Sequence, residues 1–493
     1  MESTLLVSLN DPSFEYDVHA LVKAFYPDRN VKVLSGEREE NFFAEIEIGE
    51  GGARICLEGR EHKWQAKEEE KRSVPETRGD FKNGFKAFLY EVLSRETGRK
   101  LPWGNLTGIR PTKIAYGMLE QGKNRQEIMD YLEDKHFVSG EKAALSIDIA
   151  EREREILSKI LCGDKGDSQG YSRDFSLGYS LYVGIPFCPT TCLYCSFTSY
   201  PIGGYRKIVD RYVDCLLKEL EYVARKYQGK RLDCVYIGGG TPTTLEAEQL
   251  DRLLSGIKHF FDFSQVKEFT VEAGRADSIT KEKLSVLKEK GVDRISVNPQ
   301  TMKQETLDRI GRKASVEQVE AAFFLARQMG FDNINMDLIL GLPGELAQDV
   351  QHTIDRVAEL GPDSLTVHSL AVKRASKLNQ WIQENGISML KNTDETMEIA
   401  AKGARRLHME PYYLYRQKNI SGNFENVGYA RPGKYGLYNI LIMEEKQTII
   451  ACGAGSISKL VLPDGRIERS SNVKDVTLYI EKIDEMIQRK EAF

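Results

Sequence analysis

Nowhere does this chain reach the run of about 18 apolar residues that a membrane-spanning helix needs. Its opening, MESTLLVSLNDPSFEYD, lacks the basic start and long apolar stretch of a secretion signal, so a cytoplasmic protein without stable membrane insertion is expected. Charge of one sign is not in large excess either. Its 69 basic and 74 acidic residues leave a formal charge of −5, and nothing at whole-chain level points to a nucleic-acid partner. Cysteine is scarce: eight in 493 residues cannot make a disulfide scaffold, and Cys56, Cys162, Cys215, Cys234 and Cys452 stand far apart and read as buried thiols. Histidine is scarcer still at seven, and His368, alone at a strand end, reads as structural. What remains is an ordinary globular composition, 41% apolar and 29% charged, in a chain too long for one hydrophobic core.

The pattern along the chain predicts three regions. Residues 1–161 read as an N-terminal α+β domain with a helical connector: strands at 4–9 and 42–57, a helix near 16–26, then helices near 81–97, 111–121, 125–134 and 141–161. Within the connector, the segment Leu106 to Lys113 carries Arg110 and Lys113 at a helix start, fit either to bind an anion or simply to link helices, with the second reading favoured. Residues 162–178, rich in Gly, Ser and Asp, read as a linker. From 179 to 375, the runs YSLYVGI, CVYIGG, EFTVEA, RISVNP, INMDLIL and SLTVHSL alternate with amphipathic helices, so six βα units should build a parallel sheet curled into a barrel or part of one. Chemistry in such a fold gathers where the strands end. Residues 376–493 read as a smaller C-terminal cap, with ILIMEE and TIIACGA as strand-like runs.

The remaining three cysteines are the main clue. Cys188-Pro-Thr-Thr-Cys192-Leu-Tyr-Cys195 follows the first barrel strand directly. Three thiolates at this spacing can hold three corners of a [4Fe-4S] cluster and leave the fourth iron without a protein ligand. A structural zinc loop is the alternative, although zinc usually takes four ligands and no His or fourth Cys lies nearby in sequence.

The segments LYVGIPFCPTTCLYCSF, VYIGGGTPTTL, TVEAG, ISVNPQT and MDLILGLPGE, in this order and approximate spacing, resemble the oxygen-independent coproporphyrinogen III oxidase group of radical S-adenosylmethionine (SAM) proteins. The resemblance runs from about 179 to 460. The group includes HemN, HemW and HemZ, and PYYLYRQKNISGNFENVGYARPG together with the preceding N-terminal domain is most similar to the HemZ branch. It implies an α/β fold: a partial (β/α)6 TIM-like radical SAM barrel with an N-terminal α+β domain and a C-terminal cap. It also implies a [4Fe-4S] cluster on Cys188, Cys192 and Cys195, with SAM on the open iron.

Further roles follow from the resemblance. Gly238, Gly239 and Gly240 with Thr241 match the segment that approaches the methionine part of SAM. Glu272 matches a carboxylate near its amino acid or ribose, and Gln300 and Asp337 match ribose partners. Arg312 matches the arginine that pairs with its carboxylate, with Arg309 as the competing candidate one helical turn away. Tyr182 matches an aromatic near the sulfonium, and Phe187 and Tyr194 either shield the cluster or pack the core.

The implied activity is oxidative decarboxylation of coproporphyrinogen III propionates to vinyls in anaerobic haem biosynthesis. A deoxyadenosyl radical would take hydrogen from the propionate β-carbon, and a flavodoxin or ferredoxin-type donor would reduce the cluster. Two departures open alternatives. HemN proteins have a further cysteine two residues after the third ligand, where this chain has Ser196 and Phe197, and a His where this chain has Gly184. HemW, a haem chaperone, has a His-Asn pair where this chain has Tyr438-Asn439. A haem-binding chaperone, or an enzyme acting on another tetrapyrrole, are therefore the rival readings.

Overall fold

The computed structural model describes residues 4–27, 29–35, 42–66, 78–108, 110–162, 178–373, 376–417, 420 and 423–491. Packing divides them into two compact units, Met1–Ala150 with Tyr415–Glu425, and Glu151–Leu414 with Asn426–Phe493. The linker expected at 162–178 lies, apart from its two end residues, outside the described residues.

The first unit begins with a five-stranded sheet. Its elements are β1 (Leu5–Leu9), α1 (Glu15–Phe25), β2 (Val31–Ser35), β3 (Ala44–Ile48), β4 (Gly52–Leu57), β5 (Arg60–Gln65) and α2 (Arg78–Thr97). Strand order is β2-β1-β3-β4-β5, with β2, β1 and β3 parallel and the rest antiparallel. Alternating burial in β1 and β3 turns Val7, Leu9, Ala44 and Ile46 onto Val18, Leu21 and Phe25 of α1 and Phe81 and Phe85 of α2. The run 42–57 is thus a hairpin, and β2 and β5, polar at alternate or most positions, were not legible as strands.

Helices α3 (Thr112–Glu120), α4 (Arg125–His136) and α5 (Gly140–Cys162) follow. Residues 415–425 are tied to this unit by buried polar bonds. Glu425 accepts from Trp103 Nε1 at 2.7 Å and Lys142 Nζ at 2.8 Å, while Arg416 donates to the Leu106 carbonyl at 2.5 Å.

The second unit contains β6 (Gly178–Ile185), β7 (Phe187–Cys188), β8 (Tyr200–Pro201), α6 (Val209–Lys226), β9 (Arg231–Gly239), α7 (Ala247–Phe260), β10 (Glu268–Gly274), α8 (Lys281–Glu289) and β11 (Arg294–Val297). It continues with α9 (Gln304–Arg309), α10 (Val316–Gln328), β12 (Ile334–Leu340), α11 (Ala347–Leu360) and β13 (Ser364–Ser369). The six expected barrel strands lie side by side in chain order, each parallel to the next. Helical crossovers are what such parallel neighbours require.

After β13 come α12 (Leu378–Asn385), α13 (Asp394–Arg406), β14 (Glu410–Tyr415), β15 (Asn426–Ala430), α14 (Leu437–Glu444), β16 (Thr448–Cys452), β17 (Ile457–Val461), β18 (Ile467–Ser471), α15 (Val476–Glu481) and α16 (Ile483–Glu491). Within the region expected as a cap, β14 and β15 extend the same sheet at one edge and β16, β17 and β18 at the other. Its order is β14-β15-β13-β12-β11-β10-β9-β6-β16-β17-β18, with β16 a seventh parallel strand beside β6. The order is linear, as in a partial barrel.

The run ILIMEE is a correction to the sequence reading: Ile440 to Glu444 belong to helix α14. The reason is distant in sequence. Buried Glu268 accepts from the first backbone amides of that helix, Leu437 N at 2.5 Å and Tyr438 N at 3.4 Å, so a carboxylate sits at its N-terminus. Among the described residues, no helix is long and apolar enough to cross a membrane.

Candidate radical SAM site

Parallel strands covered on both faces are buried along their length, and the exceptions mark the site. The interior of β6 has one half-buried residue, Tyr182; the others are Tyr236 in β9, Glu272 in β10, Asp337 in β12 and His368 in β13. Register explains why several share a face. Tyr182 pairs with Tyr236, Tyr236 pairs with Thr270, and Glu272 lies two residues beyond Thr270. Tyr182 and Tyr236 stack at 6.3 Å between ring centroids, and Tyr438 of α14 stacks on Tyr236 at 4.3 Å. Tyr236 donates to Glu272 Oε1 at 2.5 Å. Burial pushes the Glu272 carboxyl up to about 7, although the Tyr236 hydroxyl opposes that shift.

Asp337 accepts from Asn335 Nδ2 at 2.7 Å and lies 3.9 Å from His368 Nε2. Burial raises its carboxyl, but His368 and Asn335 reverse the effect and hold it below the ordinary range. Gln300 joins Asp337 through its backbone, donating to the Asp337 carbonyl at 2.9 Å. It does so at φ +69°, a left-handed conformation uncommon for a residue other than glycine.

The glycines that end and follow β9 have a packing reason. Gly240 donates to the Ile185 carbonyl at 2.8 Å, and a Cβ there would stand 2.5 Å from the Phe187 carbonyl. Gly239 adopts φ +107°, while a Cβ on Gly238 would meet Glu272 Oε2 at 2.7 Å. Bare Cα atoms thus let the turn pass against the cysteine loop and let the Glu272 carboxylate approach.

That loop is closed at its base by pairing of β7 with β8 and pinned along its length. Leu193 N donates to the Ile310 carbonyl at 2.9 Å, Leu378 N to the Leu193 carbonyl at 3.0 Å, and Thr190 Oγ1 to the Gly311 carbonyl at 3.0 Å. Cys192 is buried and Cys188 and Cys195 are half-buried. Cys188 Sγ lies 3.5 Å from Thr241 Oγ1, and Cys195 Sγ lies 3.7 Å from Ser199 Oγ. Burial raises the Cys188 thiol, and the other two thiols act on it in the same direction. Among the described residues, no three Cys, His, Asp or Glu side chains converge as they would around one ion. A cubane cluster does not need that, because each thiolate takes a different iron corner.

The arginines separate clearly. Arg309 Nη1 donates to the Pro343 carbonyl at 2.5 Å. Arg312 Nη2 donates to Tyr194 Oη at 3.1 Å, and its Nη1 to the Asn298 carbonyl at 2.7 Å. Its Nε is buried with no hydrogen-bond partner among the described residues. A buried guanidinium N–H without a partner is costly, so the position fits an anionic ligand group such as the carboxylate of SAM. Phe187 packs in the core against Tyr212, whereas Tyr194 is the loop's partner for Arg312. Phe197, in place of the further HemN cysteine, is 75% exposed.

Sequence reasoning gave no part to His368, Tyr236 or Tyr438. The first two were visible as residues of the barrel strands, whereas Tyr438 reaches the stack only through α14.

This arrangement, a cysteine-bearing loop at the exit of the first strand of a partial parallel barrel, is that of radical SAM proteins. The radical SAM superfamily profile matches residues 182–357. The oxygen-independent coproporphyrinogen-III oxidase-like protein HemZ of Bacillus subtilis is 35% identical over 98% of this chain and 96% of its own length. The heme chaperone HemW of the same organism is 32% identical over 62% of this chain and 76% of its own. Among solved structures, the coproporphyrinogen III oxidase HemN of Escherichia coli superposes with a TM-score of 0.52 at 24% identity, covering 64% of this chain and 73% of that one. The chain belongs to the HemN/HemW/HemZ group of the radical SAM superfamily, in its HemZ family. Membership implies a [4Fe-4S] cluster and SAM as cofactors.

Proposed function

We propose that this protein is a coproporphyrinogen III dehydrogenase-like oxidoreductase of the cytoplasm, acting on tetrapyrrole propionates in anaerobic haem biosynthesis. Cys188, Cys192 and Cys195 would hold the cluster. Tyr182, Gly239, Gly240, Thr241, Glu272, Gln300, Arg312 and Asp337 would surround SAM. The observation that carries the SAM assignment is the unpartnered buried Nε of Arg312, placed beside Tyr194 of the cysteine loop.

When bound, cluster and SAM supply a one-electron cleavage that yields a hydrogen-abstracting radical, with a flavodoxin or ferredoxin-type protein as electron donor. Each turnover would remove a hydrogen atom from a propionate β-carbon, release CO2 and pass one electron to an external acceptor, leaving a vinyl group. The residues of this chain bind and orient. Arg312 takes the carboxylate of SAM, while Asp337, fixed by Asn335 and His368, stays ionised to accept ribose hydroxyls. Glu272, held by Tyr236, presents a carboxyl whose raised pKa lets it carry a proton near neutrality.

The HemW likeness motivates a second reading, haem binding and delivery. Here Tyr438 is buried in the tyrosine stack and Asn439 donates to Tyr412 Oη at 3.2 Å, which favours the enzyme. An anaerobic assay with SAM, dithionite and coproporphyrinogen III tests the proposal by mass spectrometry. Vinyl product that disappears in Cys188→Ala, Cys192→Ala and Cys195→Ala supports it. Stoichiometric tight haem with no SAM-dependent turnover would establish the chaperone, and 5′-deoxyadenosine without vinyl product would redirect the search to another tetrapyrrole.

A further inference from the structure

A cation that none of the assignments above uses touches the middle cysteine. Arg275 follows β10 directly and is 3% exposed. Its Nε and Nη2 fork onto Asp277 at 2.9 and 2.6 Å. Its remaining nitrogen, Nη1, reaches into the cysteine loop. There it donates to the Thr190 carbonyl at 3.1 Å, to the Thr190 hydroxyl at 2.8 Å and to Cys192 Sγ at 3.7 Å. A surface ion pair has no need of such burial, and the same two loop residues could have been held by a neutral donor. The loop instead receives a permanent charge, because a guanidinium does not lose its proton in proteins.

We propose that Arg275 is a positioning residue that raises the reduction potential of the [4Fe-4S] cluster, by placing a hydrogen-bond donor and a positive charge on the Cys192 ligand while fixing the loop through Thr190. The inference rests on the reading that Cys188, Cys192 and Cys195 hold that cluster. Reduction adds one electron, from a flavodoxin or ferredoxin-type donor, to a thiolate-ligated centre, and no bond forms or breaks. A donor and a positive charge at a ligand sulfur stabilise the more negative, reduced form. Asp277 offsets part of that charge, so the two residues act on the potential with opposite signs. A purely structural Arg275 would give no such opposition.

The test is an EPR-monitored redox titration of anaerobically reconstituted full-length protein, with iron and sulfide quantified in each sample. Arg275→Met is expected to disfavour reduction about tenfold, about 59 mV for one electron. Arg275→Lys should recover most of that loss, and Asp277→Asn should shift the potential upward. Loaded Arg275→Met and Asp277→Asn clusters with wild-type potentials would overturn the inference and leave the cluster reading intact. Wild-type protein that takes up no [4Fe-4S] cluster would instead overturn the cluster reading, and the inference with it. If Arg275→Met loses its iron, the Asp277→Asn titration decides: an upward shift upholds the inference and an unchanged potential overturns it.

Discussion

Replacing Arg312 by Gln should weaken SAM binding far more than the same change at Arg309. Arg312 spends Nη1 on the Asn298 carbonyl and Nη2 on Tyr194, leaving Nε buried and unpartnered. A ligand carboxylate meeting that nitrogen would form a charge-assisted bond in a desolvated setting, worth about 1.5–3 kcal/mol. At about 1.4 kcal/mol per factor of ten, Arg312→Gln should raise the Kd for SAM roughly ten- to hundredfold. Arg309, engaged with the Pro343 carbonyl, has no comparable vacancy, and Arg309→Gln should change Kd by less than about twofold. Anaerobic titration calorimetry on reconstituted protein measures both, with thermal unfolding alongside to detect a variant that has merely lost its fold. A folded, cluster-loaded Arg312→Gln protein that binds SAM like the wild type would refute the reasoning, as would an equal loss in Arg309→Gln.

Glu268→Gln should cost about 2 kcal/mol in urea unfolding, because a neutral amide replaces the carboxylate that accepts Leu437 N and Thr270 Oγ1 at 2.5 and 3.0 Å; a loss below about 0.5 kcal/mol would argue against that role. His136 predicts an acid-sensitive first unit. Burial lowers its imidazole from the ordinary 6.5 to about 4, so the folded state resists protonation that the unfolded chain accepts. The resulting stability is present above pH 6.5 and is lost as pH falls towards 4, by about 3 kcal/mol. Stability curves over that range should flatten in His136→Gln, and an unchanged slope would contradict the account.

Much of the site was legible because short-range patterns encode it. The C-x3-C-x2-C loop, the glycine turn and each of the six strands are short local patterns, and the structure sets the glycine turn against the cysteine loop, with Gly240 N on the Ile185 carbonyl and Thr241 Oγ1 beside Cys188 Sγ. Glu272, Gln300 and Asp337 were named from the family resemblance, and they stand at or beside strands of the parallel sheet, where the chemistry of such folds gathers. Other features had no local signal. The polar strand β5 is held by pairing to β4 rather than by its own composition, and ILIMEE has the apolar content of a strand yet is helical.

The sequence by itself determined the cluster-type cysteine motif and the parallel α/β sheet, because ligand spacing and hydrophobic period are properties of adjacent residues, while the superfamily was legible through the resemblance of its ordered motifs to a known group. Only the tertiary structure distinguishes Arg312 from Arg309, since Arg309 closes α9 while Arg312 lies past Gly311 beyond it, and distant segments offer the two different partners. Tertiary structure likewise brought Arg275 to Cys192, 83 residues apart, and set Glu268 at the start of α14, 169 residues away from Leu437. Buried charges take their partners wherever the fold supplies them, and that choice is made in space, after the chain has closed around its core.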